Sequence, residues 1–141
     1  MAYVTEEQIY ARVPASKLIS LTQEDKSQLT ADSKRIQAAV FDASAIIDEY
    51  CGVRYSVPLS PVPDIIVRLT IDITMYFLYK NRYDNAMPEE IGTAYKSALD
   101  TLQEIKEFRS SLIGVELKEG FGFKILTNTN RVYTNELIKL I

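Results

Sequence analysis

The stretch DASAIIDEYCGVRYSVPLSPVPDIIVRLTID, residues Asp42–Asp72, decides the fold of this chain. An amphipathic pattern runs through its first part and stops at Gly52, where the C-terminal cap of a helix is expected. Three prolines within six residues, at positions 58, 61 and 63, then fix φ and favour extended backbone in the residues before them. The stretch therefore predicts two core helices that a stiff, non-helical linker, residues 52–63, holds at a fixed angle.

Apolar periodicity predicts three long helices. The first, over residues 33–51, has Asp32 as its N-cap and carries apolar residues at alternating spacings of three and four. The second, over residues 64–82, is apolar around almost its whole circumference, which is typical of a central, buried helix. The third, over residues 88–109, repeats the amphipathic spacing and has Pro88 at its first helical position.

Two short helices are predicted before these three. Thr5 and Gln8 have the three-residue spacing of a capping box, which indicates a first helix that ends at Pro14. Thr22 is followed by Gln-Glu-Asp, which indicates the N-cap of a second short helix with acidic residues in its first turn.

The pattern changes near the C-terminus. Residues 115–126 alternate between polar and apolar, with a turn at Gly120, and predict a β-hairpin. Residues 127–141 are first polar and then apolar. We expect this extended arm either to dock on its own domain or to contact a neighbouring subunit.

The predicted fold is therefore mainly α. A small helical bundle of three long and two short helices forms one domain over residues 1–112. A C-terminal β-hairpin and an extended arm follow over residues 113–141. A chain of 141 residues is long enough for one domain with a sizeable core.

Composition excludes several classes of function. Histidine is absent and Cys51 is the single cysteine, so zinc sites, histidine-based triads and an internal disulfide are not expected, and a reducing cytoplasm suits the chain. We expect no other metal and no cofactor. The net charge is −3 with lysine and arginine spread evenly, which disfavours direct nucleic-acid binding and membrane-surface binding. No signal peptide is predicted, and the apolar run Ile65–Tyr79 is too short to span a bilayer.

Asp72 is the most conspicuous charged residue, because it lies inside the most apolar helix. An unpaired buried carboxylate is costly, so we expect it to have a cationic partner. Arg68 lies four residues earlier on the same helix, and Arg54 could provide a bidentate partner from the linker. Such a pair would fix the angle between the two long helices; a contact of these charges with another protein is the alternative.

Three tyrosines, Tyr76, Tyr79 and Tyr83, fall on one face near the end of the central helix. Aromatic residues in this arrangement are usually core residues or interface anchors. Core packing is therefore the default expectation, and a contact between subunits is the alternative.

Five segments carry a resemblance to a known family. They are the start of the chain up to Arg12, the stretch Leu18–Thr22, the stretch Asp42–Leu59, the stretch Asp72–Leu78 and the closing Arg131–Leu137. In these segments the chain resembles the Mu-like prophage head–tail connector family, most strongly in Asp42–Leu59. The likeness covers most of residues 1–83 and touches the C-terminus, whereas the hairpin region departs from the pattern.

The resemblance implies a small helical adaptor, located in the virion neck after assembly in the host cytoplasm. It implies a twelve-fold ring between the portal protein and the tail-side neck proteins, with a subunit that can be monomeric in isolation. We therefore expect a non-enzymatic virion assembly protein. Its arm would contact a neighbouring subunit or the portal through five residues: Arg131, Tyr133, Leu137, Ile138 and Leu140.

Two other functions are weighed against this one. A small regulatory module that binds one helix of a partner would have an exposed apolar groove and be a monomer or dimer. An enzyme is disfavoured, because the sequence has no histidine and no convergent polar cluster.

Overall fold

The computed structural model describes residues 2–23, 27–81 and 87–118. This part of the chain contains five helices and no regular strand, so the predicted mainly α fold is confirmed. The helices are α1 (Glu6–Tyr10), α2 (Ala15–Thr22), α3 (Ser33–Cys51), α4 (Asp64–Lys80) and α5 (Glu89–Lys106). None of these helices is long and apolar enough to cross a membrane.

The starts of the helices follow from their capping residues. The Thr5 hydroxyl accepts a hydrogen bond from Gln8 N at 3.3 Å, and the Gln8 side chain accepts one from Thr5 N at 2.9 Å. This is the predicted capping box. The Asp32 carboxylate accepts from Lys34 N at 3.0 Å and starts α3, again as predicted. Pro88 has an extended conformation and is the N-cap of α5, whereas we predicted it at the first helical position, which is one residue further into the helix.

The predicted helix after Thr22 is corrected by the structure. Thr22 is the last residue of α2, and its buried hydroxyl donates to Leu18 O at 2.8 Å. The same oxygen accepts from Asp32 N at 2.9 Å, so it joins the end of α2 to the start of α3. The second short helix, α2, therefore lies before Thr22 rather than after it, because Leu18 and Leu21 form its buried face. Residues 24–26 lie outside the described part of the chain.

Gly52 ends α3 at the predicted position but for a different reason. Its φ of −63° is right-handed helical, so it does not form the left-handed cap that glycine usually provides. A Cβ atom at this position would lie 2.7 Å from the backbone oxygen of Asp48. Gly52 is therefore required by this close approach, because any side chain would displace the backbone at the start of the linker.

Helix α4 lies between two apolar clusters. One face, with Ile66, Leu69 and Ile73, packs in a cluster with α3, α5 and the linker. The opposite face, with Val67, Ile71, Met75 and Leu78, packs in a second cluster with α1, α2 and the first half of α3. The prediction of a central, buried helix is confirmed, although α4 ends at Lys80 rather than at 82 and α5 ends at Lys106 rather than at 109.

The chain after α5 returns to the linker. Leu117 forms an isolated antiparallel bridge with Tyr55. Ser56 N donates to Glu116 O at 3.3 Å, and Lys118 N donates to Arg54 O at 2.8 Å. The described start of the predicted hairpin 115–126 thus pairs with the linker. The rest of that hairpin and the arm 127–141 lie outside the described residues, and the structure gives the hairpin no support.

Candidate functional site

Arg54 is the most heavily bonded polar side chain of the linker, and it is only 6% exposed. Its Nη1 atom donates to the backbone oxygens of Ile105, at 2.8 Å, and Ser110, at 2.6 Å. Its Nη2 atom donates to Ser111 Oγ at 3.2 Å. The last carbonyl groups of a helix have no partners within the helix and carry partial negative charge. Arg54 therefore caps the C-terminal end of α5.

Two aromatic rings enclose the same guanidinium group. The Cζ atom of Arg54 lies 5.1 Å from the centroid of the Tyr55 ring and 4.9 Å from that of Phe108, which are cation–π distances. The Tyr55 hydroxyl accepts a hydrogen bond from Leu112 N at 2.9 Å. Arg54 and Tyr55 together hold the end of α5 and the segment after it against the linker.

The predicted pair of Arg54 and Asp72 is corrected by this arrangement. Arg54 donates to backbone oxygens at the end of α5, while Asp72 lies half-buried on α4. Burial raises the pKa of Asp72, and the attraction of Arg68 partly opposes that shift. Arg68, the other predicted partner, is therefore the cation that acts on Asp72.

Tyr3 joins three parts of the chain that are distant in sequence. Its hydroxyl donates to the carboxylate of Asp48 on α3 and accepts from Leu59 N in the linker at 2.9 Å. Its backbone N donates to Ser44 Oγ at 3.1 Å. The side chain is 4% exposed, and burial, together with the hydrogen bond to Asp48, raises the pKa of Tyr3.

Our sequence reasoning did not single out Tyr3. One signal was present, because the apolar Val4 directly precedes the Thr5 cap, at the position of a hydrophobic staple. Val4 is indeed buried in the second apolar cluster. Burial of Val4 fixes the direction in which the chain enters α1, and the neighbouring Tyr3 is buried as well.

The predicted tyrosine face divides between surface and core. Tyr76 is half-buried and stacks on Tyr95 of α5, with ring centroids 3.7 Å apart and an interplanar angle of 9°. Phe77 meets Tyr95 edge-on at 6.2 Å. Burial and the neighbouring Tyr76 raise the pKa of Tyr95. Tyr79 is 5% exposed and belongs to the second apolar cluster, so it is a core residue.

Tyr83 lies outside the described residues, as do the predicted contact residues of the arm. The contact role of Tyr83, Arg131, Tyr133, Leu137, Ile138 and Leu140 therefore stays a prediction.

Four exposed apolar side chains belong to the linker or to the segment that returns to it after α5, and we call them the linker patch. Val53 and Val57 flank Tyr55 in the chain and are each 41% exposed. Leu117, 36% exposed, is the bridge partner of Tyr55. Ile113, 92% exposed, directly follows Leu112, whose N–H binds the Tyr55 hydroxyl.

A second apolar surface lies near the N-terminus. A groove of about 350 Å³ runs between residues 2–6 and α3, and Val4, Val40 and Phe41 contribute its apolar lining. Phe41 is 54% exposed. We call this surface the N-terminal groove.

The described residues include no group of three or more His, Cys, Asp and Glu side chains that could hold a metal ion. Cys51 is fully buried at the end of α3, and burial raises its pKa to about 12. Such a thiol stays protonated at neutral pH and acts as a small apolar residue.

The chain matches known proteins along most of its length. The family model described as "Bacteriophage Mu, Gp36" matches residues 3–119, which include the linker and all the helices above. The "Mu-like prophage FluMu protein gp36" of Haemophilus influenzae is 30% identical over 117 residues, which cover 83% of this chain and 77% of that protein. "Gene product J" of Escherichia phage Mu is 26% identical over 107 residues, or 76% of this chain and 73% of that protein.

Proposed function

Because this chain belongs to the bacteriophage Mu Gp36 family, we propose that it is a structural phage protein that connects the head to the tail. In this proposal it assembles as a ring of twelve subunits in the virion neck, between the portal protein and the tail-side neck proteins. Membership of a Mu-like phage family was predicted from the resemblance and is confirmed by the match.

One observation carries this proposal: residues in the segments that resemble the family form hydrogen bonds between distant parts of the bundle. The Tyr3 hydroxyl binds both Asp48 and Leu59, and Arg54 and Tyr55 bind the end of α5 and the segment after it. These side chains hold separate parts of one bundle together. A rigid block is what a ring subunit requires, since small errors in shape accumulate around a closed ring.

Three further buried polar groups support a structural role in the same way. The hydroxyl groups of Thr22 and Thr70 donate to backbone oxygens one turn earlier in their helices. Ser44 accepts from the backbone of Tyr3. Each of these groups is used inside the bundle, which favours a structural protein over an enzyme.

Contact with other proteins is proposed for two regions. The arm, residues 127–141, would contact a neighbouring subunit or the portal. The half-buried pair Tyr76 and Tyr95 would add an aromatic surface at the opposite end of α4 and α5. Aromatic residues of this kind are common anchors of protein interfaces.

The proposal is tested with the full chain and the portal protein encoded in the same phage genome. Electron microscopy of the mixture should show a ring of this protein on the portal axis. Deletion of residues 127–141 should abolish head–tail joining while the helical circular dichroism signal stays largely intact. Heads and tails that still join with the truncated protein would contradict the role of the arm; a chain that never associates with the portal would contradict the proposed function.

The N-terminal groove supports a second candidate, a regulatory module that binds one helix of a partner. This candidate predicts a monomer or dimer that stays so with the portal present. The substitution Phe41→Asp would then abolish partner binding, whereas a connector ring would still form on the portal with this variant.

A further inference from the structure

The linker patch is an exposed apolar surface beside the point where the described chain ends. Val53, Val57, Ile113 and Leu117 are between 36% and 92% exposed, although all four are apolar. Exposed apolar groups that lie together on one surface commonly mark a site of protein contact. Lys118, the last described residue, directly follows Leu117 within this patch.

The backbone beside the patch is suited to an extended segment. Glu116 and Lys118 exchange hydrogen bonds with Ser56 and Arg54 of the linker. In an antiparallel pair the residue between two such positions directs its N–H and C=O to the opposite edge. Leu117 therefore offers a backbone donor and acceptor next to the exposed side chains, and an added strand is bound by such an edge.

The remaining chain has a segment of matching character. Residues 137–141 read LIKLI, and four of these five residues are apolar. The residues between Lys118 and Leu137 could span up to about 60 Å when extended. This is about twice the length of α3, whose 19 residues extend for about 28 Å. The segment can therefore reach an adjacent copy of the bundle.

We infer that the linker patch binds residues 137–141 of a second copy of this chain, as an extended strand along Leu117. This inference rests on the proposed ring, and it names the surface that the arm of one subunit occupies on the next. A contact between two different surfaces of identical subunits is heterologous, and it repeats around a ring until the ring closes. The arm of every subunit then binds the linker patch of the next subunit, so that each patch in the ring is occupied.

Cysteine cross-linking tests this inference in the full chain. One preparation carries Ile113→Cys and the other carries Ile138→Cys, and the two are mixed with the portal protein under mild oxidation. Ile113 is 92% exposed, so the substitution leaves the core unchanged. Native Cys51 is fully buried, and protein without either substitution measures its background. We expect a disulfide between the two different chains, identified by mass spectrometry.

The matched control replaces Ile113→Cys by Leu29→Cys. Leu29 is 87% exposed and apolar, but it precedes the start of α3, whereas the linker patch surrounds its end. Docking of the arm raises the local concentration of its thiol at the patch. The cross-link to position 113 should therefore exceed that to position 29 by at least about tenfold.

The other outcomes overturn the inference in distinguishable ways. A disulfide found only within a single chain that carries both Ile113→Cys and Ile138→Cys would show that the arm docks on its own bundle. Rings seen by electron microscopy without a link to position 113 would reject the patch as the docking site and leave the proposed function standing. Absence of both rings and links would count against the inference and the proposed function together.

Discussion

Helix α5 is held by directional hydrogen bonds at its C-terminal end and by stacked aromatic rings towards its N-terminal end. At the linker end, Arg54 binds two backbone oxygens and a hydroxyl group while almost fully buried. At the opposite end, Tyr76 and Tyr95 stack face to face and remain half-buried. Hydrogen bonds to a charged group specify geometry, whereas aromatic contacts tolerate small displacements. The comparison indicates that the linker end sets the shape of the subunit, while the aromatic end can adjust to a neighbour.

Replacing Arg54 should have the largest effect on stability. The substitution Arg54→Ala removes the hydrogen bonds to Ile105, Ser110 and Ser111, and leaves buried acceptors without partners. We expect a loss of about 3 kcal/mol in the free energy of unfolding, measured by urea denaturation. The exposed Arg12 is the matched control, and Arg12→Ala should change stability by less than about 0.5 kcal/mol. Equal effects of the two substitutions would show that the hydrogen bonds of Arg54 do not stabilise the linker end.

Removal of the Tyr3 hydroxyl should have the next largest effect. In Tyr3→Phe the ring stays, but Asp48 and the backbone N–H of Leu59 lose their partner. We expect a loss of about 2 kcal/mol, because a buried donor is left unsatisfied. Tyr10 is 40% exposed, so Tyr10→Phe is the control and should be nearly neutral. If Tyr3→Phe left the free energy of unfolding unchanged, burial of the ring alone would hold the N-terminal segment in place.

Stability should also fall in alkaline solution, because the folded protein raises the pKa of both Cys51 and Tyr3. A group whose pKa is raised on folding stabilises the protein below its unfolded pKa, and this contribution is lost as the pH rises towards the folded value. Burial raises the pKa of Cys51 from its ordinary value near 9 to about 12. Ionisation of this thiol in the unfolded chain should therefore lower the free energy of unfolding by about 1 kcal/mol at pH 10.

Two variants separate these contributions. In Cys51→Ala, the free energy of unfolding should fall less steeply with pH below pH 10. In Tyr3→Phe, it should fall less steeply only above pH 10, where an unfolded tyrosine ionises. Urea denaturation at a series of pH values measures both slopes. Unchanged slopes in the two variants would assign the alkaline decline to other groups.

The stacked pair at the opposite end should contribute least. A double-mutant cycle with Tyr76→Ala and Tyr95→Ala should give a coupling energy of about 0.5–1 kcal/mol. The two rings touch at half-buried positions, so little of their contact depends on exclusion of water. A coupling energy as large as the Arg54 effect would reverse the comparison and make the aromatic end the rigid one.

The main helices could be predicted from the sequence because their signals are local. The apolar periodicity of α3, α4 and α5 and the capping residues Thr5 and Asp32 act within one or two turns of backbone. Thr22 shows the limit of such signals. A threonine can cap a following helix or end a preceding one, and the choice here depends on packing of α2 against α4.

The partners of the site residues could not be predicted, because they are backbone groups placed by tertiary packing. Arg54 binds the carbonyl oxygens of Ile105 and Ser110, more than fifty residues away, and any residue type could provide those oxygens. Asp72 drew attention as a charged residue in an apolar helix, which suggested Arg54 as a partner. The pattern could not show that Asp72 is only half-buried on α4.

The position of α4 has a consequence for how the subunit responds to load. Because α4 contributes side chains to both apolar clusters, neither half of the bundle can open without exposing part of the other. The amide protons of α4 should therefore exchange with solvent only through global unfolding. A force applied at either end of such a subunit is shared by the whole bundle, so the block moves as one body rather than coming apart in stages.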